Sequence, residues 1–383
     1  MSSLRLNGVT VVAPTGHLLL DEVDLDVADS ETVAVVGPSA ASRTALLRTV
    51  VGLQRPDEGE VLIDDADVTG LPPRRRDVAM VFDDYALHPR RDVLDNLTFA
   101  ATLRRKHNRV ELADRVEEVV VDLALRDVLD LRPGKLGDDQ KQRVAVGRSL
   151  VRDASLWLFD DPFSAQSERV RPHVRSVVQR WQADRDRTSL VATSSVDEAL
   201  SFGGRVAVLH QGRIRQVGSP QDLYERPADM FVAGYLGSPP MNLLPAFRDE
   251  DQLVTPLVPI PVDDRFEEAV GDRPVVIAGV RPEHCHVGGA DGDDLVEFTA
   301  RVDEVEWHAR AQYAYLGFDL DPALGEVLDE VEEMFEFDLF QDFLVAQAPV
   351  GTSVAVDEEI AVAIPRSAVT LFDPDTGENL TAG

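Results

Sequence analysis

A short loop between a predicted buried strand and a predicted helix has the setting of a phosphate-binding site. The apolar run 32–36 predicts the strand, Gly37-Pro38-Ser39 predicts a tight turn, and a helical pattern follows from Thr44 to Gly52. In this order of elements, loop N–H groups and the positive end of the helix can bind phosphate oxygens. The chemistry that these residues predict is therefore phosphate binding.

The elements that must position this loop alternate between strands and helices. Apolar runs at 78–82, 156–159, 190–193 and 206–209 predict further buried strands, and helical patterns separate them. This alternation predicts an α/β fold whose sheet is mostly parallel, with helices on both faces. Before it, short alternating runs in residues 1–35 predict antiparallel strands.

The character of the sequence changes after about residue 235. Pro239-Pro240 opens a proline-rich connection, and short strand patterns with Gly, Pro and Asp turns continue to the end. These patterns predict an α/β domain over 1–235 and a small all-β domain over 236–383. Within the second domain, residues 319–342 are strongly acidic and compatible with a helix, which indicates an insertion.

The composition excludes several classes of protein. Asp and Glu number 69 against 38 Lys and Arg, and a net charge of −31 argues against a nucleic-acid partner, because phosphate contacts need positive surface. The single cysteine, Cys285, excludes a disulfide framework. No apolar run reaches the ~20 residues that span a bilayer, and the first residues lack the pattern of a signal peptide. The spread of acidic residues, with only three lysines, predicts a protein of a halophile's cytoplasm.

Four stretches lie in the order of the motifs of an ABC-transporter nucleotide-binding domain. Residues 37–48 resemble the Walker A loop, 81–89 the Q-loop, 135–146 the signature and its helix, and 156–164 Walker B with the start of the D-loop. This resemblance implies a P-loop domain that binds ATP with Mg²⁺. The implied nucleotide-binding residues are Gly37, Pro38, Ser39, Ala40, Ala41, Ser42, Arg43, Thr44 and Ala45, and the implied signature loop is Leu136, Gly137, Asp138, Asp139 and Gln140.

The second half resembles one subfamily. Residues 231–242, 279–284 and 371–378 are similar to the domain exit and the oligonucleotide-fold (TOBE) domain of maltose and glycerol-3-phosphate type importers. The resemblance implies an ATP-binding subunit of an importer for sugars or related solutes. It also implies membrane permease subunits as partners, a homodimer or a heterodimer with another ATPase subunit, and a peripheral position on the cytoplasmic face of the membrane.

The predicted nucleotide site departs from the family pattern. Two Walker A glycines are replaced by Ala40 and Ser42, and the lysine is replaced by Arg43. A Cβ where the loop needs a strained backbone costs about 1–3 kcal/mol. A planar guanidinium is also not equivalent to an ammonium at a tight site. Thr44 keeps the hydroxyl that binds Mg²⁺ in the family.

The signature loop departs further. Gly137 stands where the family has serine, and Asp138 and Asp139 stand where it has glycines that contact the γ-phosphate held by the partner subunit. A carboxylate ~4 Å from one phosphate charge costs about 4 kcal/mol at an effective dielectric constant of about 20. Two such carboxylates oppose the closed dimer around ATP.

Of the remaining motif positions, the Q-loop and switch positions are substituted, and the Walker B aspartate is kept. The Q-loop glutamine is replaced by Asp83, and the switch histidine by Ser194. Asp160 is the Walker B aspartate, and Asp161 follows it where the family has the carboxylate that orients water. The resemblance therefore implies Thr44, Asp160 and Asp83 as metal ligands, and Asp161 and Ser194 as catalytic residues.

The combined changes give three hypotheses. The leading one is an importer subunit that docks on a permease and hydrolyses ATP poorly or not at all, because the substitutions fall at several separate motifs. The second is an active ATPase that tolerates the substitutions, which Thr44, Asp160 and Asp161 support. The third is a non-catalytic regulatory or scaffold protein whose β domain binds a ligand or a protein.

Overall fold

The structure, a computed structural model, describes residues 2–104, 109–202, 204–289, 292, 294–308, 311–320, 322–349 and 351–382. The chain divides into two compact units, Met1–Pro220 and Gln221–Gly383. The first unit is of α/β type and the second consists mainly of β-sheet.

The first unit contains an antiparallel and a mostly parallel sheet. Its strands are β1 (Leu4–Val12), β2 (Leu18–Val27), β3 (Thr32–Val36), β4 (Glu58–Ile63), β5 (Ala66–Asp67), β6 (Val78–Val81), β7 (Leu156–Asp160), β8 (Thr188–Thr193), β9 (Arg205–His210) and β10 (Arg213–Gly218). Its helices are α1 (Ala40–Val51), α2 (Val93–Arg104), α3 (Arg109–Asp122), α4 (Asp138–Arg152), α5 (Arg171–Ala183) and α6 (Val196–Ser201). The strand orders are β2-β1-β4-β5 and β10-β9-β3-β8-β7-β6.

The parallel sheet confirms the strands that the apolar runs predicted. Strands β9, β3, β8, β7 and β6 are parallel neighbours, and β10 pairs antiparallel with β9. The antiparallel strands predicted before residue 36 are also present, as β1 and β2. Side chains of both sheets and of α1 form one apolar core, which includes Leu6, Leu46 and Leu158. The carboxyl ends of the parallel strands therefore share one edge with the start of α1.

The second unit contains two sheets. After helices α7 (Pro220–Glu225) and α8 (Met230–Tyr235), its strands are β11 (Asn242–Asp249), β12 (Gln252–Val254), β13 (Pro259–Pro261), β14 (Val275–Val280), β15 (His286–Val287), β16 (Leu295–Arg301), β17 (Glu304–His308), β18 (Ala311–Gly317), β19 (Phe343–Ala348), β20 (Glu359–Pro365) and β21 (Thr370–Phe372), with helices α9 (Asp264–Val270) and α10 (Pro322–Phe335) between them. The strand orders are β13-β12-β11-β14-β21 and β16-β20-β15-β19-β18-β17. Helix α10 lies in the acidic segment 319–342, where a helix was predicted.

The division between the units lies fifteen residues before the boundary predicted after residue 235. The reason is the packing of α8, which belongs to the second unit. The ring of Phe231 stacks on that of Tyr235, and Phe337 contacts both rings edge-on. Arg281 also donates hydrogen bonds to the carbonyl oxygens of Ala233 and Leu236.

Arg76 fixes the end of α1, the helix that begins at the phosphate-binding loop. Its side chain is 2% exposed and donates to the carbonyl oxygens of Thr49 and Val50 at 2.8 Å, of Leu71 at 2.9 Å and of Thr69 at 3.0 Å. The last carbonyl groups of a helix have no partner within the helix, so this guanidinium supplies one. Burial lowers the pKa of Arg76.

We expect Arg76→Met to lower the free energy of unfolding by at least about 3 kcal/mol, because it leaves several buried carbonyl groups without a donor. The matched control is Arg75→Met, since Arg75 is an exposed neighbour of the same type. We expect the control to change stability by less than about 0.5 kcal/mol. Urea denaturation followed by circular dichroism measures both, and equal stability of the two variants would contradict a capping role.

Candidate functional site

The loop after β3 ends in a helix cap. Ser39 is the N-cap of α1, and its Oγ accepts a hydrogen bond from the N–H of Ser42 at 3.2 Å and from the hydroxyl of Ser42 at 3.0 Å. The N–H of Arg43 donates to the carbonyl oxygen of Ser39 at 3.2 Å. The helix therefore begins at Ala40, whereas the sequence pattern predicted a beginning at Thr44. The cap engages the N–H of Ser42, one of the loop N–H groups that the sequence interpretation assigned to phosphate.

Gly37 is the one Walker A glycine that this chain keeps, and packing explains why. A Cβ at this position would lie 1.9 Å from the carbonyl oxygen of Leu209 in the neighbouring strand β9. Any side chain would push the loop away from the sheet. Pro38 and Ala41 are exposed, and Ala45 is buried in the core between the sheets.

Arg43 is buried within the loop. Its side chain is 2% exposed, and one terminal nitrogen donates to the carbonyl oxygen of Gly37. The other donates to Oδ2 of Asp161 at 3.0 Å. Its Nε is buried and has no hydrogen-bond partner in the described part of the chain. The guanidinium therefore points into the loop and is paired with a carboxylate of the same chain.

Asp161 is held on both of its carboxylate oxygens. While Oδ2 accepts from Arg43, Oδ1 accepts from the N–H of Ser194 at 2.9 Å and from its hydroxyl at 3.3 Å. The backbone of Asp161 has a φ of 41°, in the left-handed region, and its N–H donates to Ala192 at 2.8 Å. We refer to these contacts as the Arg43–Asp161–Ser194 network. It joins the three positions where the family has its lysine, its water-orienting carboxylate and its histidine.

Thr44 and Asp160 are adjacent, as the sequence predicted. The hydroxyl of Thr44 donates to Oδ2 of Asp160 at 2.9 Å. Burial raises the pKa of Asp160 to about 6, the Thr44 hydrogen bond opposes the shift, and the charges of Asp83 and Asp161 add to it. Asp83 lies at the exposed end of β6, and its carboxylate accepts from the N–H of Asp84 at 2.9 Å.

The signature loop forms the start of α4. Leu136 is buried, Gly137 is the N-cap, and the N–H of Gly137 donates to Oε1 of Gln140 at 3.1 Å. Asp138 forms an ion pair with Lys141 at 2.9 Å, and Asp139 forms one with Arg143 at 3.0 Å. Both carboxylates lie in the first turn, where negative charge stabilises a helix. Their negative charge therefore occupies the positive end of α4, which could otherwise attract an external anion.

Two buried glutamines connect the signature helix to the segment after β7. The Nε2 of Gln142 donates to the carbonyl oxygen of Asp161 and to Oγ of Ser164, both at 3.1 Å. The Nε2 of Gln166 donates to the carbonyl oxygen of Asp139 at 2.8 Å. Sequence reasoning missed this link. A signal was present, because Gln142 is a polar residue on the face of α4 that carries Ala145 and Val146.

Sequence reasoning also missed the role of Arg148. This arginine donates to the carbonyl oxygens of Tyr85, at 2.9 Å, and Ala86, which have φ values of 66° and 44°. Burial lowers the pKa of Arg148. Beside it lies an open groove of about 290 Å³. We refer to it as the Arg148 groove, and its lining includes Leu53, Met80, Phe82, His88, Phe99 and Arg148.

The site fits the two parts of Mg²⁺-ATP unequally. A threonine hydroxyl beside a carboxylate is a suitable donor set for Mg²⁺. The phosphate part fits poorly, because the N–H of Ser42 donates to the Ser39 cap and the guanidinium of Arg43 is paired with Asp161. Within the described residues, no group of three or more His, Cys, Asp or Glu side chains could hold a metal ion by itself.

The fold and the motif order define an ABC-type cassette joined to an oligonucleotide-fold domain. Residues 20–164 match the family model of the ABC transporter, and residues 237–285 match that of the MalK OB fold domain. A dimeric bacterial ABC transporter cassette, MJ0796, aligns with a TM-score of 0.53 at 24% identity, over 57% of this chain and 98% of that one. This likeness concerns the fold.

Relatives extend the match to the whole chain. The trehalose import ATP-binding protein SugC of Mycobacterium tuberculosis is 34% identical over 100% of this chain and 99% of its own length. The xylose/arabinose import ATP-binding protein XacK of Haloferax volcanii is 33% identical over 99% and 96%. The sn-glycerol-3-phosphate import ATP-binding protein UgpC of Chromobacterium violaceum is 38% identical over 82% and 85%.

The chain therefore belongs to the ATP-binding subunits of ABC importers. Members of this family bind ATP with Mg²⁺, dimerise and act with membrane permeases. In the part of the chain that the structure describes, no helix combines the length and apolar character needed to cross a membrane.

We expect Asp160 to make the stability of the protein fall as the pH rises from about 4 to about 7. Its pKa is raised in the folded chain, so the folded state binds the proton more tightly than the unfolded state does. The stabilisation is complete below about pH 4 and is lost as the pH passes about 6. A rise of about two units corresponds to about 3 kcal/mol.

The measurement compares Asp160→Asn with the wild type by urea denaturation across this pH range. The asparagine still accepts from Thr44 but does not ionise, so the difference in stability should move in favour of the variant as the pH rises. Asp67→Asn is a control for which the pH dependence of the stability difference should have the opposite sign. Two hydrogen bonds from Thr69 lower the pKa of Asp67, so its contribution to stability is lost as the pH falls. A pH-independent difference for Asp160→Asn would show that this carboxylate has an ordinary pKa.

Proposed function

We propose that this chain is the ATP-binding subunit of an importer for a sugar or a related solute, and that its own hydrolysis of ATP is weak or absent. The relatives named for trehalose, xylose/arabinose and sn-glycerol-3-phosphate support the solute class. The chain acts at the cytoplasmic face of the membrane, bound to permease subunits. In this proposal the first unit, Met1–Pro220, is the nucleotide-binding domain, and the second, Gln221–Gly383, is the TOBE-like domain with its acidic insertion at 319–342.

The Arg43–Asp161–Ser194 network is the observation that supports weak hydrolysis. A catalytic carboxylate must accept a hydrogen bond from the attacking water or take its proton. Three donors of this chain already bind Asp161, Arg43 on Oδ2 and the N–H and hydroxyl of Ser194 on Oδ1, which leaves about one acceptor position for a water. To bind a γ-phosphate, Arg43 would have to leave Asp161 and the carbonyl oxygen of Gly37. Breaking a buried ion pair is costly, so the network competes with the nucleotide.

The signature loop supports the same conclusion. Asp138 and Asp139 are 70% and 51% exposed, so a partner subunit's phosphates would meet two carboxylates. Their ion pairs with Lys141 and Arg143 reduce the repulsion, since each cation is within 3.0 Å. The pairs also keep the carboxylates at the helix end, where they occupy the region of positive potential that would attract the phosphate.

The Arg148 groove is the proposed contact with the permease. It is largely apolar, and the loop 85–89 that forms part of its wall corresponds to the region where the family's permease helix docks. Arg148 keeps Tyr85 and Ala86 in a left-handed conformation that residues other than glycine adopt at a cost. The start of the loop at the proposed permease contact is therefore held in a fixed conformation.

The geometry of Thr44 and Asp160 supports a second candidate, an active ATPase that tolerates the substitutions. The hydroxyl and the carboxylate are 2.9 Å apart, as a Mg²⁺ site needs. The two candidates differ in what happens to Arg43 when nucleotide arrives. In the active candidate, the guanidinium exchanges Asp161 for the phosphates.

Hydrolysis of ATP by the purified full chain, alone and with its permease, tests the proposal. We expect turnover well below about 1 s⁻¹, the low end of ordinary enzymes. The triple variant Ala40→Gly/Ser42→Gly/Arg43→Lys should bind Mg²⁺-ATP at least about tenfold more tightly, because it removes two Cβ atoms from the loop and replaces the guanidinium that is paired with Asp161 by an ammonium. The control is Arg48→Lys, the same exchange at an exposed position of α1. Turnover above about 1 s⁻¹ by the wild type would establish the active candidate.

We expect Asp138→Gly/Asp139→Gly to strengthen nucleotide-dependent dimerisation, because it removes two carboxylates that would face phosphate. Analytical ultracentrifugation with a non-hydrolysable ATP analogue measures the effect. The variant Asp138→Asn/Asp139→Asn separates charge from backbone freedom, and it should reproduce most of the gain. Unchanged dimerisation in both variants would refute the electrostatic argument while leaving the Arg43–Asp161–Ser194 network untested by this experiment.

Uptake of a labelled sugar tests the solute class. Cells that lack the gene should lose uptake of one sugar or polyol, and the wild-type gene should restore it. Loss of uptake of an unrelated solute class, such as an amino acid, would overturn this part of the proposal.

A further inference from the structure

A cavity of about 450 Å³ in the second unit has a charge that contrasts with the rest of the chain. Its lining includes Arg226, Arg265 and Arg281 against the two acidic residues Glu225 and Glu283. Two other cavities of comparable size each have four acidic residues in their lining, one Asp303, Glu304, Asp319 and Asp342, and the other Asp21, Glu22, Asp24 and Glu58. In a chain of net charge −31, a concave surface with three guanidinium groups is unusual.

One wall of this cavity is rigid. Arg281 is 3% exposed and donates to the carbonyl oxygens of Ala233 at 3.0 Å and Tyr224 at 2.9 Å. Its guanidinium also lies 3.9 Å from the centre of the Tyr224 ring. The Nε of Arg281 is buried without a hydrogen-bond partner in the described ranges. This arginine therefore contributes a fixed positive charge.

Glu283 is already engaged on this wall. The hydroxyl of Tyr224 donates to its Oε1 at 2.7 Å. Burial and this carboxylate together raise the pKa of Tyr224 well above its usual range, so the hydroxyl stays a donor. The negative charge of Glu283 is accordingly directed at Tyr224 and Arg281, both part of the same wall.

Arg265 also lines the cavity. Its terminal nitrogens donate to the carbonyl oxygens of Ser367 at 3.4 Å and Val369 at 3.2 Å. These hydrogen bonds are long and their acceptors are neutral, so they do not neutralise the charge. A guanidinium in this state can turn its donors to an anion, which it binds bidentately when the anion is a phosphate or a carboxylate.

The remaining wall supplies neutral polar groups. Ser367 and Thr370 lie next to Arg265, and Asn379 and Thr381 come from the last residues of the chain. The tail is fixed, because Asn379 donates through Nδ2 to Pro227 at 2.8 Å and through its N–H to Ala228 at 3.0 Å. Hydroxyl groups beside a cation are suited to a ligand that carries both an anion and hydroxyls.

We propose that this cavity binds a small organic anion, a phosphorylated or carboxylated polyol of about the size of a hexose phosphate. The guanidinium of Arg265 binds the anionic group, and the hydroxyls of Ser367 and Thr370 bind the polyol oxygens. The volume is typical of a pocket for a small molecule and much larger than inorganic phosphate alone would fill. Such a ligand would join residues 224–226, after the first unit, to the chain's last residues. This proposal is independent of whether the chain hydrolyses ATP.

Calorimetric titration of the full chain with glucose 6-phosphate, in the KCl concentration at which it is folded, tests the proposal. We expect binding with a Kd below about 1 mM, and no binding of glucose. Arg265→Gln should weaken binding at least about tenfold, since it removes the charge but keeps two donors. Arg301→Gln is the matched control, because Arg301 is an exposed arginine of the same unit outside this cavity.

A second variant tests the same cavity in case Arg265→Gln does not fold. Ser367 is exposed, so Ser367→Asp adds a carboxylate to the cavity without disturbing the core, and it should abolish binding. Absence of binding to the wild type would overturn the proposal. So would equal binding of glucose or inorganic phosphate, or affinity unchanged in both variants. Circular dichroism verifies that each variant is folded.

Discussion

A buried positive charge must be paired, and the nucleotide site of this chain is arranged around that requirement. The guanidinium of Arg43 is 2% exposed, and Asp161 is the carboxylate within its reach. An unpaired charge at this depth would cost several kcal/mol, so Asp161 cannot leave without a replacement anion. Ser194 then binds the other oxygen of Asp161. One substitution in the loop thus determines the partners of two other positions.

The same network determines which groups the surviving motif residues contact. By resemblance to the family, the loop lysine, the carboxylate and the histidine all act on the γ-phosphate or on the water that attacks it. Here they are held together by contacts among themselves, and the Ser39 cap completes the loop. The magnesium half, Thr44 with Asp160, remains beside it. The site has kept its architecture because the parallel strands β3, β7 and β8 still end at one edge of the sheet.

The sequence was sufficient to predict the strands of the parallel sheet and the position of the loop after β3. Buried parallel strands are continuous apolar runs, so 32–36, 156–159 and 190–193 were recognisable without a structure, and the motif order brought Arg43, Thr44, Asp160, Asp161 and Ser194 together. The predicted start of α1 was wrong by four residues, because the Ser39 side chain caps the helix and lets it begin at Ala40. The hydrogen bonds of Gln142, Gln166 and Arg148 join residues that are far apart in the chain. Residue spacing does not indicate such pairs, so these contacts could not be predicted from the sequence.

The placement of α8 has a consequence for how the two halves could be separated. Phe231 and Tyr235 form an aromatic cluster with Phe337, a residue more than a hundred positions later. A fragment ending at 235 would carry these rings without the side chain that covers them, and exposed aromatic surface promotes aggregation. A fragment ending at 220 would leave the cluster whole in the other piece. The acidic segment 319–342 contributes Phe337, whose ring covers Phe231 and Tyr235 of α8. Deleting this segment would therefore expose the aromatic side chains at the beginning of the second unit.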